Sequence, residues 1–145
     1  GISHELVRHR LAAFTQESTR YVNYSKDKFG NEITCIMPDY GCYKWTDETD
    51  QIFRKAYQQC EENYMALINA GMSPQYARAV LPTGLKTELI MTANIREWRH
   101  ILKLRLNPAA HPDIRFLCYQ IYDKLNEYHP YFLCDMRNDG TPKEE

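Results

Sequence analysis

Arg8-His9-Arg10-Leu11-Ala12-Ala13-Phe14-Thr15-Gln16-Glu17-Ser18-Thr19-Arg20 brings three arginines, a histidine and a serine into thirteen residues, with no acidic side chain before Glu17. An arginine presents a rigid planar fork of donors, and a serine adds a short hydroxyl donor, so the pair suits a compact phosphate group. The stretch reads as an anion-binding surface for a small phosphorylated ligand such as a nucleotide.

Upstream, Ile2 to about Arg8 reads as the end of a helix, with Leu6 and Val7 apolar among His4, Glu5 and Arg8. Downstream, Arg20-Tyr21-Val22-Asn23-Tyr24 and Ile33-Thr34-Cys35-Ile36-Met37 are rich in aromatic and β-branched residues. A polar stretch containing Gly30-Asn31 separates them, which predicts two strands joined by a loop. Thr46, followed by Asp47 and Glu48, marks a helix start. Apolar residues then recur at three- and four-residue steps from Ile52 to Ile68, and Gly71 stops the helix. Ser73-Pro74 opens a shorter helix that Pro82 ends. The alternation from Leu85 to Thr92 predicts a strand. Asn94 with Glu97 resembles a capping box for a helix reaching about Leu104, and His111-Pro112-Asp113 opens a last helix that turns Ile114, Leu117, Cys118, Ile121, Tyr122 and Leu125 inward. From Arg137 the chain is polar and expected to fray. The class is α+β with helices dominant.

A chain of 145 residues makes one domain and buries roughly 70% of its unfolded surface, so folding requires neither a metal nor a disulfide. The net charge of -1 argues against nucleic-acid and membrane-surface binding, which show as a basic excess. The basic cluster is therefore local. Five cysteines, Cys35, Cys42, Cys60, Cys118 and Cys134, form no Cys-x-x-Cys pair or zinc spacing, so they read as reduced thiols in a cytoplasmic protein and no metal site is expected. No apolar run approaches a membrane span of about 18 residues.

On a helical wheel, Ile95, Trp98, Ile101, Leu102 and Leu106 share one side of the Asn94 helix, and Arg96, Arg99, His100 and Lys103 the other. Arg105 falls on the apolar side. It is either a cation at a helix C-terminus with its stem reaching water, or a guanidinium aimed at a partner. Arg78, flanked by small and apolar residues, raises a similar question, as a surface or ion-paired residue or as a ligand contact. His9 between two arginines has its cationic form disfavoured and lacks a visible orienting carboxylate, which makes it a neutral hydrogen-bonding or stacking group rather than a base. No serine or cysteine sits in a nucleophile setting. Many donors and few acids suit holding anions and a cofactor that carries the bond chemistry.

Arg8-His9-Arg10, seven residues and then Ser18, continuing through Arg20-Tyr21, resembles the signature of the flavin-dependent thymidylate synthases. Ala77-Arg78-x-Val80-Leu81-Pro82 is similar to that family's central segment. Asn94-x-Arg96, then His100 and Leu104-Arg105, is similar to its flavin and pyrimidine segment, and Ala110 to Arg115 to the start of its last helix. The resemblance covers nearly the whole chain, as a family domain over 1–136 with a polar tail at 137–145.

The resemblance implies a small antiparallel sheet packed with several long helices, in a homotetramer whose active sites are shared between subunits. It implies reductive methylation of dUMP to dTMP, with methylenetetrahydrofolate as carbon donor and hydride passing from NADPH through FAD. The dUMP set would be Glu5, Arg8, Gln16, Glu17, Ser18, Thr19, Arg20, Arg78 and Arg105. Within it Ser18, Arg20 and Arg78 hold the phosphate, and Arg105 is the catalytic group facing the pyrimidine. FAD would meet Arg8, His9, Arg10, Gln16, Asn94, Arg96 and His100.

Departures accompany the likeness. Glu5 stands where a glutamine often contacts the nucleotide, and must avoid the phosphate or accept from the pyrimidine or an arginine. Gln16 replaces a glutamate, and Ala13 and Thr15 replace polar residues. Family members carry an N-terminal segment ahead of the first helix, so the chain resembles the C-terminal two-thirds of an enzyme. The alternative is a truncated, non-catalytic nucleotide-binding remnant; a nucleic-acid module is opposed by the near-neutral charge.

Overall fold

The computed structural model describes residues 1–27, 30–38 and 45–143. In chain order the elements are α1 (Ile2–Leu6), β1 (Ala12–Gln16), α2 (Asp47–Asn69), α3 (Pro74–Ala77), β2 (Leu89–Ala93), α4 (Ile95–Arg105) and α5 (Pro112–Tyr128). Short 3-10 turns follow α3 at Arg78–Val80 and α5 at Pro130–Leu133. β1 and β2 pair as a small antiparallel sheet, so the α+β class holds with helices dominant. The chain divides into two compact units, Gly1–Phe14 with Ile90–Glu145, and Thr15–Leu89.

In the first unit α5 packs against α1, α4 and the Pro130–Leu133 turn. The side chains that hold these elements together are Leu6, Ile101, Leu102, Leu106, Ile114 and Leu133, all buried. On α5, Ile114, Cys118 and Tyr122 are buried at four-residue steps, while Leu117, Ile121 and Leu125 are half-buried. Residues 137–143, expected to fray, instead turn back onto the unit. Tyr122 donates to the Met136 carbonyl at 2.7 Å, and Met136 bridges to Pro142. Gly140 adopts φ +79, the left-handed region where a side chain is strained. A Cβ there would stand 3.1 Å from the Lys103 carbonyl, so the turn closes over the last turn of α4 only because residue 140 has no side chain.

In the second unit α2 is framed by its own caps. Thr46 Oγ1 accepts from Thr49 N at 3.2 Å, and Thr49 Oγ1 accepts from Thr46 N at 2.9 Å. At the other end Met72 N donates to Leu67 O and Gly71 N to Ile68 O, the paired bonds of a Schellman stop, with Gly71 at φ +87. The predicted Ser73 helix is realised as α3 tightening into the Arg78–Val80 turn before Pro82.

Three strand expectations change. Residues 20–24 form a turn, with the Ser18 carbonyl accepting from both Tyr21 N and Val22 N. Val22 and Tyr24 are apolar because they enter a core with Ile33, Tyr64 and Ala77, not because they join a ladder. The 33–37 stretch makes a single antiparallel bridge, Cys35 to Leu85, supported by Ile36 N to Gly84 O and Lys86 N to Thr34 O, both 2.8 Å. The predicted 85–92 strand therefore serves two pairings, the isolated bridge at Leu85 and β2 proper from Leu89. β1 itself lies inside the arginine-rich stretch. Ala12 and Phe14 are half-buried and Ala13 and Thr15 exposed, an alternation that the surrounding charge obscures.

Candidate functional site

In the first unit the site is built from α1, the turn after it and α4. Asn94 caps α4 by accepting from Glu97 N at 2.9 Å. The Glu97 side chain does not return the cap. It is turned inward, only 7% exposed, with Oε1 3.7 Å from His9 Nδ1. The orienting carboxylate missing from the sequence reading is therefore Glu97. Arg8 and Arg10 are exposed while His9 between them is 5% exposed. The backbone sends the histidine in and both arginines out.

Arg105, the last residue of α4, turns its guanidinium onto α1 and the following turn. Nη1 donates to Glu5 Oε2 at 2.7 Å, Nη2 to the Glu5 carbonyl at 3.0 Å, and Nε to His9 Nε2 at 3.1 Å. Of the two readings of Arg105, the partnered one holds in the first unit. Glu5, expected to accept from the pyrimidine or an arginine, accepts from Arg105. Burial first, then the Arg105 cation, push His9 below its usual range, with His100 adding to the effect and Glu97 opposing it. The neutral reading of His9 stands, but Arg105 supplies the cationic neighbour rather than Arg8 and Arg10. His100 is exposed and its ring meets that of His9 edge-on, centroids 6.2 Å apart. Asn94 and Arg96 are also exposed.

In the second unit Ser18, Thr19, Arg20 and Arg78 come together. Ser18 Oγ accepts from Arg20 N at 3.3 Å, Arg78 Nη1 donates to Thr19 Oγ1 at 3.3 Å, and Arg20 Nε donates to Gln75 Oε1 at 3.2 Å. Gln75, from α3, is the member that sequence reasoning missed; an uncharged amide gives no signal of its own. Both arginines are exposed, and among the described residues neither has a carboxylate within ion-pairing reach. Two exposed guanidinium groups, one of them on the Thr19 hydroxyl, are donors of the kind that suits a dianion. Gln16 is committed to Thr87 Oγ1 at 3.3 Å, and Glu17 is held by its backbone N–H to the Glu88 carbonyl.

Burial keeps two of the thiols from ionising easily. Cys118 is buried and its thiol is pushed up to about 11, while burial also raises Cys35. Both stay protonated and poorly nucleophilic near neutral pH. Cys42 lies outside the described residues. Among the described residues no group of three or more His, Cys, Asp or Glu could hold a metal ion, and no helix is long and apolar enough to cross a membrane.

Similar proteins match most of the chain. Flavin-dependent thymidylate synthase of Geobacter sulfurreducens is 38% identical over 133 residues, covering 92% of this chain and 55% of that protein. The enzymes of the same name from Sulfurisphaera tokodaii and Pyrococcus furiosus are 34% and 32% identical, covering 88% and 85% of this chain and 47% and 49% of theirs. The chain thus spans about half the length of the curated relatives it matches. The family described as thymidylate synthase complementing protein matches residues 1–131, and the chain belongs to that family.

Proposed function

We propose that this chain works in thymidylate synthesis as the nucleotide-holding part of a flavin-dependent thymidylate synthase. The reaction is reductive methylation of dUMP to dTMP, with methylenetetrahydrofolate as carbon donor and NADPH as the source of hydride. The single observation that carries the reading is the pair of exposed guanidinium groups of Arg20 and Arg78, without a carboxylate partner among the described residues, one on Gln75 and the other on the Thr19 hydroxyl. A nucleotide monophosphate presents the dianion that such a donor set fits.

Arg105 supports the second half of the reading. A fixed cation at the pyrimidine edge favours the ionised imide, because donors aimed at developing negative charge lower the barrier without reorganising. Arg8, Arg10 and Arg96 are exposed and have no carboxylate partner among the described residues. With exposed His100 they suit the phosphates and ring carbonyls of FAD, which when bound supplies the hydride relay. We place the assembly as a homotetramer in the cytoplasm, the active sites being shared between subunits.

Titration of the purified protein with dUMP, followed by calorimetry, tests the reading. Binding that the paired substitution Arg20→Ala, Arg78→Ala removes is the expected result, and equal affinity in the variant would overturn the assignment. Flavin absorbance in the same preparation separates an FAD-holding chain from one that binds the nucleotide alone.

A further inference from the structure

Glu97 is a carboxylate only 7% exposed, and a buried charge persists only where other groups compensate its lost hydration. Two do so here. It sits in the first turn of α4, where the helix dipole favours an anion, and Oε1 faces His9 Nδ1 at 3.7 Å. The other ring nitrogen, Nε2, lies 3.1 Å from Arg105 Nε. A guanidinium has only donors, so the nitrogen facing it must offer a lone pair. The proton of the neutral ring is then on Nδ1, pointing at Glu97. At 3.7 Å the carboxylate is too far for a direct hydrogen bond, yet close enough for its charge to orient the N–H dipole.

We propose that Glu97 is a positioning residue, which fixes His9 in the Nδ1-protonated tautomer so that Nε2 holds Arg105. The order Glu97, His9, Arg105, Glu5 is a relay of alternating acceptors and donors from the start of α4 to its end. Without the Glu97 charge, only the Arg105 donor opposes a proton on Nε2, and the ring carries its proton there for part of the time. That sets one donor against another at Arg105 and releases Nε from its partner. The charged and titratable groups that face His9 are Arg105, Glu97 and His100. Arg105, by donating to Nε2, and Glu97, by its charge beside Nδ1, both favour a proton on Nδ1. The consequence for substrate rests on the reading of Arg105 as the pyrimidine-facing cation; the tautomer itself does not.

Nitrogen NMR of the full chain labelled with 15N-histidine, with His9→Gln for assignment, tests this directly. Wild-type His9 should show a protonated Nδ1 and an unprotonated Nε2 at neutral pH. Glu97→Ala should move the ring to a mixture or to the other tautomer, as should Glu97→Gln, which keeps the size but removes the charge, while Glu97→Asp, which keeps the charge, should hold the proton on Nδ1. A wild-type ring protonated on Nε2, or an unchanged His9 spectrum in folded Glu97→Ala, would overturn the proposal. Should alanine fail to fold, Glu97→Met fills the volume and carries the same expectation. With dUMP added, affinity should fall in the alanine or methionine variant and be kept in the aspartate variant. Wild-type protein that shows the expected tautomer but binds no dUMP would sink the functional reading alone.

Discussion

Arg105 and Glu5 stand 100 residues apart in sequence and 2.7 Å apart in space, the guanidinium of one closing on the carboxylate of the other. Their side chains are 20% and 28% exposed, so neither charge is fully hydrated. The pair joins the end of α4 to α1, and it places a carboxylate next to the cation on which the proposed chemistry depends.

Arg105→Ala should abolish methyl transfer while FAD stays bound, because the pyrimidine loses its charge-stabilising donor. Stability should fall by about 1–3 kcal/mol as well, the cost of leaving a partly buried carboxylate unpaired. Single-turnover assays and urea melts check the two parts. Unchanged turnover would refute the catalytic role.

Glu5→Gln keeps a side-chain acceptor for Arg105 but removes the negative charge. The cation is then less neutralised, and dUMP affinity should rise relative to wild type. A calorimetric titration at fixed ionic strength reads this, and weaker binding would show that the carboxylate itself contacts the nucleotide.

His9 introduces a pH dependence whose sign follows from its depressed pKa, caused first by burial and then by Arg105. Below the ordinary value of 6.5 the unfolded chain takes up a proton that the folded chain refuses. Stability is therefore complete above that value and declines as pH falls from it toward the lower folded pKa. Urea midpoints collected across mildly acidic pH should show the decline, and His9→Gln should flatten it.

Ser18→Ala should weaken dUMP binding more than FAD binding, since Ser18 belongs with Thr19 and Arg20 to the proposed phosphate set. Equal losses for both ligands would count against the phosphate assignment.

Gly140→Ala should lower stability by about 1–2 kcal/mol from the left-handed backbone alone, and further because the new Cβ would press on the Lys103 and Leu102 carbonyls. Thermal melts measure this. An unaffected midpoint would mean that residues 137–143 are not docked on α4.

Local chemistry made much of this protein legible without coordinates. Thr46 and Gly71 bound α2 because caps act within one turn of the residues they satisfy. The buried stripe of α5 at Ile114, Cys118 and Tyr122 follows from helical periodicity. The site motifs were legible for the same reason, since arginines and a serine at close spacing announce their own chemistry.

What tertiary structure alone decided is pairing. Val22 and Tyr24 have the composition of a strand, but they fill a core against Tyr64, and no local rule separates burial in a cluster from burial in a sheet. β1 was hidden because its strand alternation rests on small residues within a run of charge. Glu97 satisfied a local pattern as the third residue of a capping box, and then used its carboxylate elsewhere. The sequence by itself determined which residues carry donors suited to anions and where helices start and stop, because those properties belong to side chains and their near neighbours. Which donor meets which acceptor, Arg105 with Glu5 and His9 among them, depends on elements brought together from opposite ends of the chain, and only the folded molecule holds that information.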